Sequence, residues 1–283
     1  MSNRVNIIAE IGANHNGDMS LAKEMIRAAS ENGADYAKFQ SWQASKIGPG
    51  PWDDDTPFFQ FKNKREFYNN AQLTNENHYE LIEECESAGI KFLTTCFDRE
   101  RVEFLSGLGI QDMKVASCDS TSRTMIDELS SNFNRLIVST GMTTMEEISR
   151  LRDQLDSKGN PYALLHCVSM YPTPLEKINV QRLRQIGSMV SSFGEFGISD
   201  HSLGTTFPKV AVTLGATWIE KHFTTDNNIP GPDNQMSITP DQLSDIRNFC
   251  DEYQKLGVDS QESVYSEEIE LRGVIQNRFG SNK

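Results

Sequence analysis

Two short runs carry chemistry-bearing residues at a telling spacing. "TWIEKHF" (217–223) delivers Glu220 and His222 two positions apart, and "DYAKFQ" (35–40) does the same with Lys38 and Gln40. Residues two apart on an extended strand point to the same side, so each run presents a pair of polar groups together at the end of an otherwise apolar segment. A third run, "EFGISDH" (195–201), ends in Ser199, Asp200 and His201. Two imidazoles, His201 and His222, suit one divalent cation with open coordination positions, and such a cation polarises a carbonyl. Lys38 and Lys114 suit an anion site, with the hydroxyls of Thr95, Ser117 and Ser139 as added donors, a set that matches a phosphate plus a carboxylate. Glu10, Asp119, Glu220 and Asp233 are candidate bases and hydroxyl acceptors.

Each of these residues has a plainer reading. A lone histidine is more often structural than a ligand, and a lysine near a strand end can reach the rim and stay solvated. An inward lysine in an apolar strand needs an anion, however, and two histidines on neighbouring strands favour a ligand pair. By the same reasoning His166, inside "YALLHCV", is structural; His78, in a helical pattern, is expected at the surface; and Lys221, of opposite parity to its neighbours, is structural. The run Asp53–Asp55 reads as a solvated loop.

Elements able to hold these groups in place recur along the chain. Apolar, β-branched or aromatic runs fall at 5–12, 35–40, 91–97, 112–117, 135–140, 162–168, 195–201 and 217–223. Helical patterns lie between them, with Thr74 as an N-cap and Gly89 and Gly159 as stops. Eight β-then-α units predict an α/β fold, a closed (β/α)8 TIM barrel. A doubly wound open sheet is the alternative, but "EIGANHNGD" lacks the G-x-G-x-x-G turn that such sheets usually carry. In a barrel, chemistry gathers at the C-terminal strand ends, which is where the polar residues fall. The expectation is one barrel domain over 1–283, with a long loop insertion at about 41–73 that carries Trp42, Trp52 and several phenylalanines as a structured lid.

Composition narrows the partners. A formal net charge of −13 argues against nucleic acid, which needs a basic footprint. No apolar run approaches a membrane span, and "MSNRVNIIAE" lacks a secretory pattern, so a cytoplasmic location is expected. The five cysteines are odd in number, widely spaced and without a C-x-x-C, which points away from a disulfide framework or zinc ribbon.

Seen together, "IAEIGANHNGD", "AKFQ", "KVAS", "STGM", "LLHC…YPTP", "GISDHSLG" and "EKHFT…GPD" resemble the sialic acid synthase (N-acetylneuraminate synthase) family, in order and in register from about residue 5 to about 270. The resemblance implies a TIM barrel that condenses phosphoenolpyruvate with an amino-sugar aldose such as N-acetylmannosamine. The product would be a nonulosonic 2-keto-3-deoxy sugar acid, with phosphate released by C–O cleavage. It implies a divalent metal, Mn2+ or Mg2+, on His201 and His222, and phosphoenolpyruvate on Lys38, Thr95, Lys114, Ser117, Ser139 and Ser199. It turns Glu10, Gln40, Tyr171 and Asp233 toward the sugar and lets Glu220 position the attacking water.

Three departures from the family pattern stand out. The strand-4 motif reads Ser117-Cys118-Asp119 where members often have Ser-Gly-Glu, and Ser169 stands where neuraminate synthases often have Asn. The chain stops at "ELRGVIQNRFGSNK", where typical members continue into an antifreeze-like (SAF) domain whose Arg reaches the partner subunit's sugar in a homodimer. The barrel alone is therefore expected here. Two other readings remain: condensation with a phosphorylated aldose, as in octulosonate phosphate synthases, and a non-catalytic sugar-binding barrel.

Overall fold

The computed structural model describes residues 4–50, 52–256 and 264–276. Its eight strands are β1 (Asn6–Gly12), β2 (Tyr36–Ser41), β3 (Lys91–Cys96), β4 (Asp112–Val115), β5 (Arg135–Ser139), β6 (Tyr162–Cys167), β7 (Gly194–Asp200) and β8 (Trp218–His222). They close in chain order into a parallel barrel, with β8 paired to β1 from Asn6↔Trp218 through Glu10↔His222. The open-sheet alternative is excluded by that closure. Each predicted strand is present, within two residues at either end.

The strand period separates the barrel interior into layers. Ile8, Tyr36, Leu93, Ile137, Ala163, Leu165 and Trp218 form a fully buried plug. On strands β1, β2, β3, β5 and β8, stepping on by two residues gives Glu10, Lys38, Thr95, Ser139 and Glu220. The same inward parity is therefore apolar at the base and polar at the mouth. Trp218 fits because β7 has Gly197 beside it: a Cβ there would meet the Trp218 carbonyl oxygen at 2.0 Å.

Outside the strands pack α1 (Met19–Glu31), α3 (Asn75–Ala88), α4 (Glu100–Gly107), α5 (Arg123–Asn132), α6 (Met145–Lys158), α7 (Val180–Met189), α8 (Thr206–Thr213) and α9 (Pro240–Lys255). Thr74 caps α3 in a reciprocal box with Asn77, and Thr144 caps α6 with Glu147. Gly89 and Gly159 end the same helices in the left-handed conformation, as their sequence positions predict. A further helix, Ser266–Gln276, closes the described chain.

The insertion after β2 folds beside the barrel mouth. It carries a 3-10 turn (Ala44–Lys46) and a helix, α2 (Lys64–Ala71). Trp42, Phe67 and Ala71 form a small core with Ala13, and Phe58, Phe61 and Tyr68 pack on it. Arg65 ties the loop together through the Asp53 carboxylate and the carbonyls of Ala44, Ile47 and Gly48. Asp53, Asp54 and Asp55 are exposed, as a solvated run should be.

One expectation is corrected. His78 is fully buried, with Nε2 at 2.6 Å from Ser41 Oγ and Nδ1 at 2.7 Å from the Thr74 carbonyl oxygen. It shares the inner face of α3 with Leu81 and Cys85, at the helical spacing of three and four. That periodicity was readable; the histidine's polarity masked it.

Candidate active site

The C-terminal strand ends enclose a chamber of about 450 Å³. β1 and β2 bring Glu10, Lys38 and Gln40; β3 brings Thr95; β4 and its following turn bring Lys114 and Ser117. β5, β7 and β8 add Ser139, Ser199, His201, Glu220 and His222, and Tyr171 closes the rim. Gly12 permits this arrangement on β1, where the strand bulges against β2. Its φ is +55°, and a Cβ would meet Glu10 Oε1 at 3.0 Å and Gln40 Nε2 at 3.1 Å.

The charged groups alternate. Lys38 Nζ donates to Glu10 Oε2 at 2.7 Å and lies 3.6 Å from Glu220 Oε1; Lys114 Nζ lies 3.5 Å from Glu220 Oε2. Lys114 also donates to Ser139 Oγ at 2.6 Å and to the Val115 carbonyl at 2.9 Å, and Gln40 Nε2 donates to Glu10 Oε1 at 2.6 Å. Two ammoniums and two carboxylates thus form one buried ladder rather than a bare cationic pocket. Burial alone would favour the neutral form of Glu220, but Lys114 and Lys38 overcome it and hold its carboxyl below the usual carboxylate range. Burial likewise opposes the Lys38 charge, and Glu10 and Glu220 reverse this, holding the ammonium above its ordinary value. For Lys114 burial wins over Glu220 and its affinity for a proton falls.

The histidine pair forms the opposite wall, with ring centroids 5.5 Å apart. His201 Nδ1 lies 2.9 Å from the Val168 carbonyl oxygen. A carbonyl only accepts, so Nδ1 carries the proton and Nε2 keeps its lone pair, the arrangement of a metal-ligating imidazole. His222 Nδ1 is buried without a hydrogen-bond partner, 3.8 Å from Asp233 Oδ2. Tyr171 lies against the His201 ring at a centroid distance of 4.0 Å. These two nitrogen donors fit a divalent cation. No group of three or more His, Cys, Asp or Glu side chains is arranged for a metal among the described residues, so water and substrate oxygens would complete the shell.

A second chamber, about 910 Å³, continues outward from the first and shares Gln40, Phe97, Cys118, Tyr171 and His222 with it. The insertion supplies its aromatic wall: Trp42, Trp52, Phe58, Phe67 and Tyr68. Asp233 and Lys64 are its charged lining groups.

Asp119 is the expected site residue that the fold leaves aside. It lines neither chamber, because the 3-10 turn Ser117–Asp119 turns Cys118 inward instead. Half-burial raises the affinity of Asp119 for its proton. Conversely, Phe97, Met142 and Cys167 line the inner chamber without having been singled out. Their signal was position, at or just past strand ends, and their apolar or thiol character hid it. His166 is structural as expected, with Nε2 at 2.5 Å from the Ile178 carbonyl oxygen. Lys221 faces outward to Asp200 at 2.7 Å.

The closed barrel, with its polar groups gathered at the C-terminal strand ends, has the architecture of a barrel enzyme. The chain is 33% identical over 281 residues to an N,N'-diacetyllegionaminic acid synthase of Legionella pneumophila, covering 95% of this chain and 78% of that one. It is 30% identical over 245 residues to the human N-acetylneuraminate-9-phosphate synthase, covering 85% and 67%. A crystal structure of the N-acetylneuraminic acid (sialic acid) synthetase of Leptospira borgpetersenii, in complex with citrate, superposes with a TM-score of 0.84 at 31% identity, covering 97% of this chain and 93% of that one. The NeuB family model matches residues 25–261, and the chain belongs to this family of sialic acid synthases. Among the described residues, no helix is long and apolar enough to cross a membrane.

Proposed function

We propose that the chain condenses phosphoenolpyruvate with an unphosphorylated amino-sugar aldose, giving a nonulosonic 2-keto-3-deoxy acid and phosphate. The observation that carries this reading is the pair of joined chambers, the inner one charged and hydroxyl-lined, the outer one aromatic. A small trianion suits the first and an acylated sugar the second. Of the six N–H bonds on Lys38 and Lys114, those to Glu10, Ser139 and Val115 are made at 2.9 Å or less, while the contacts to Glu220 are longer, at 3.5 and 3.6 Å, so donors can turn to a phosphate and a carboxylate. Thr95, Ser117, Ser139 and Ser199 add hydroxyls around them.

In this reading the enol carbon of phosphoenolpyruvate bonds to the aldehyde carbon, and the aldehyde oxygen takes a proton. Water then adds at the phosphate-bearing carbon, and phosphate leaves with the C–O bond. Mn2+ or Mg2+ held by His201 and His222 supplies electrophilic polarisation of the aldehyde when bound. Glu220 is charged by virtue of its two lysines, and it orients the water and accepts its proton. Gln40, Tyr171 and Asp233 face the sugar from the outer chamber, and Glu10, in the inner one, fixes Gln40 and meets the sugar's reacting end. The aromatic side chains of the insertion cover its apolar substituents and exclude water.

The lining of the outer chamber also bears on the acceptor's charge. Among the described residues Lys64 is its one lining cation, and Asp233 opposes any phosphate there. A phosphorylated aldose is therefore the weaker reading. The same proposal includes a homodimer, which sedimentation would check. The decisive experiment measures phosphate release from phosphoenolpyruvate with Mn2+ over free and phosphorylated aldoses, including N-acetylmannosamine and a 2,4-diacetamido hexose. Release with a free amino sugar is expected. Release only with phosphorylated aldoses would favour the octulosonate-like reaction, and binding without release would favour a sugar-binding barrel.

A further inference from the structure

The motif "ANHNGD" follows β1, yet its asparagines line neither chamber. Asn14 is 1% exposed, and both its Nδ2 hydrogens are used on the loop after β8: one bond to the Phe223 carbonyl at 2.8 Å and one to Ser237 Oγ at 2.9 Å. Ser237 Oγ in turn donates to the Asp233 carbonyl at 2.7 Å. Asn234, fully buried next to Asp233, donates to the Asn14 carbonyl at 3.3 Å and accepts from Thr224 Oγ1 at 2.6 Å. Asn16 Nδ2 donates to the Pro230 carbonyl at 2.7 Å. Segments more than 200 residues apart are thus joined by side-chain amides, and the joint lies directly behind Asp233.

Among the described residues, no hydrogen bond holds the Asp233 carboxylate itself. His222 Nδ1 lies 3.8 Å away, beyond hydrogen-bond reach. The carboxylate's direction is therefore set through its backbone. We propose that Asn14, acting through Ser237, is a positioning residue that fixes Asp233 on the wall of the outer chamber and thereby sets the affinity for the acceptor sugar. This rests on the reading above that Asp233 faces that sugar. The relay predicts an effect confined to the acceptor, because the two lysines that suit phosphoenolpyruvate lie on β2 and β4, away from the ends of β1 and β8 that the relay joins.

The test is a mutant cycle in steady-state kinetics, with N-acetylmannosamine and a 2,4-diacetamido hexose as acceptors. Ser237→Ala, which removes the relay hydroxyl with little change in volume, should raise the KM for the aldose about fivefold. The KM for phosphoenolpyruvate should stay unchanged, and Ser237→Thr, which keeps the hydroxyl, should restore the aldose KM. Asn14→Ala should show the same selectivity, and Ser237→Ala covers the case in which that variant folds poorly. Placed on Asp233→Ala, Ser237→Ala should add nothing. An additive effect, an equal shift of both KM values or a silent Ser237→Ala overturns the positioning role alone. An unchanged aldose KM in Asp233→Ala, or no turnover with either sugar, overturns the acceptor reading and the relay with it.

Discussion

Lys114 Nζ lies 3.5 Å from Glu220 Oε2, with both side chains almost wholly buried. Lys38 lies near the other oxygen of the same carboxylate, at 3.6 Å. Between two ammoniums, Glu220 stays ionised where burial alone would neutralise it. With one oxygen free of hydrogen bonds, the ionised carboxylate is placed to accept a hydrogen bond from the attacking water and orient it.

Glu220→Gln keeps the shape and removes the charge. Turnover should fall by about a hundredfold or more, the range of a lost general base, while the folded structure survives. Single-turnover phosphate release checks this. A kcat within a fewfold of the parent would remove Glu220 from the chemistry.

His222→Ala should abolish metal-dependent turnover and leave the fold intact. His222 Nδ1 has no hydrogen-bond partner among the described residues, so truncation strands no partner of that nitrogen. Titrating Mn2+ while following activity and circular dichroism tests it; unchanged activity would sink the metal assignment.

His78 provides a pH-dependent stability. Burial lowers its pKa from 6.5 to about 4, with the Thr74 carbonyl opposing that shift and Arg101 adding to it. The unfolded chain therefore binds the extra proton first. The stability held by neutral His78 is complete above about pH 6.5 and is lost as pH falls from there toward 4. Urea unfolding across that window should show a steeper decline for the parent than for His78→Gln. Parallel curves would contradict the burial effect.

Gly197→Ala should destabilise the barrel by several kcal/mol, about the upper range for an overpacked core. The added carbon would fall 2.0 Å from the Trp218 carbonyl oxygen, which is backbone and cannot swing away. Thermal unfolding measures the loss, and a Tm within a degree or two of the parent would contradict it.

Local rules made much of this protein readable from its sequence. The strand period of two put Lys38 with Gln40 and Glu220 with His222 on shared faces, and caps at Thr74, Gly89 and Gly159 marked where helices begin and end. These depend on neighbours a few residues apart, so the order of residues determines them. Partnership across the barrel does not. Strand register brought Glu10 to Lys38 and Lys114 to Glu220, converting an expected anion site into an alternating ladder of charge. A 3-10 turn after β4 turned Cys118 inward and left Asp119 outside the lining. The Asn14–Ser237 bond closes across 223 residues of chain. Such contacts follow from barrel closure, which sets β1 beside β8, and only the tertiary structure decides which side chains then meet.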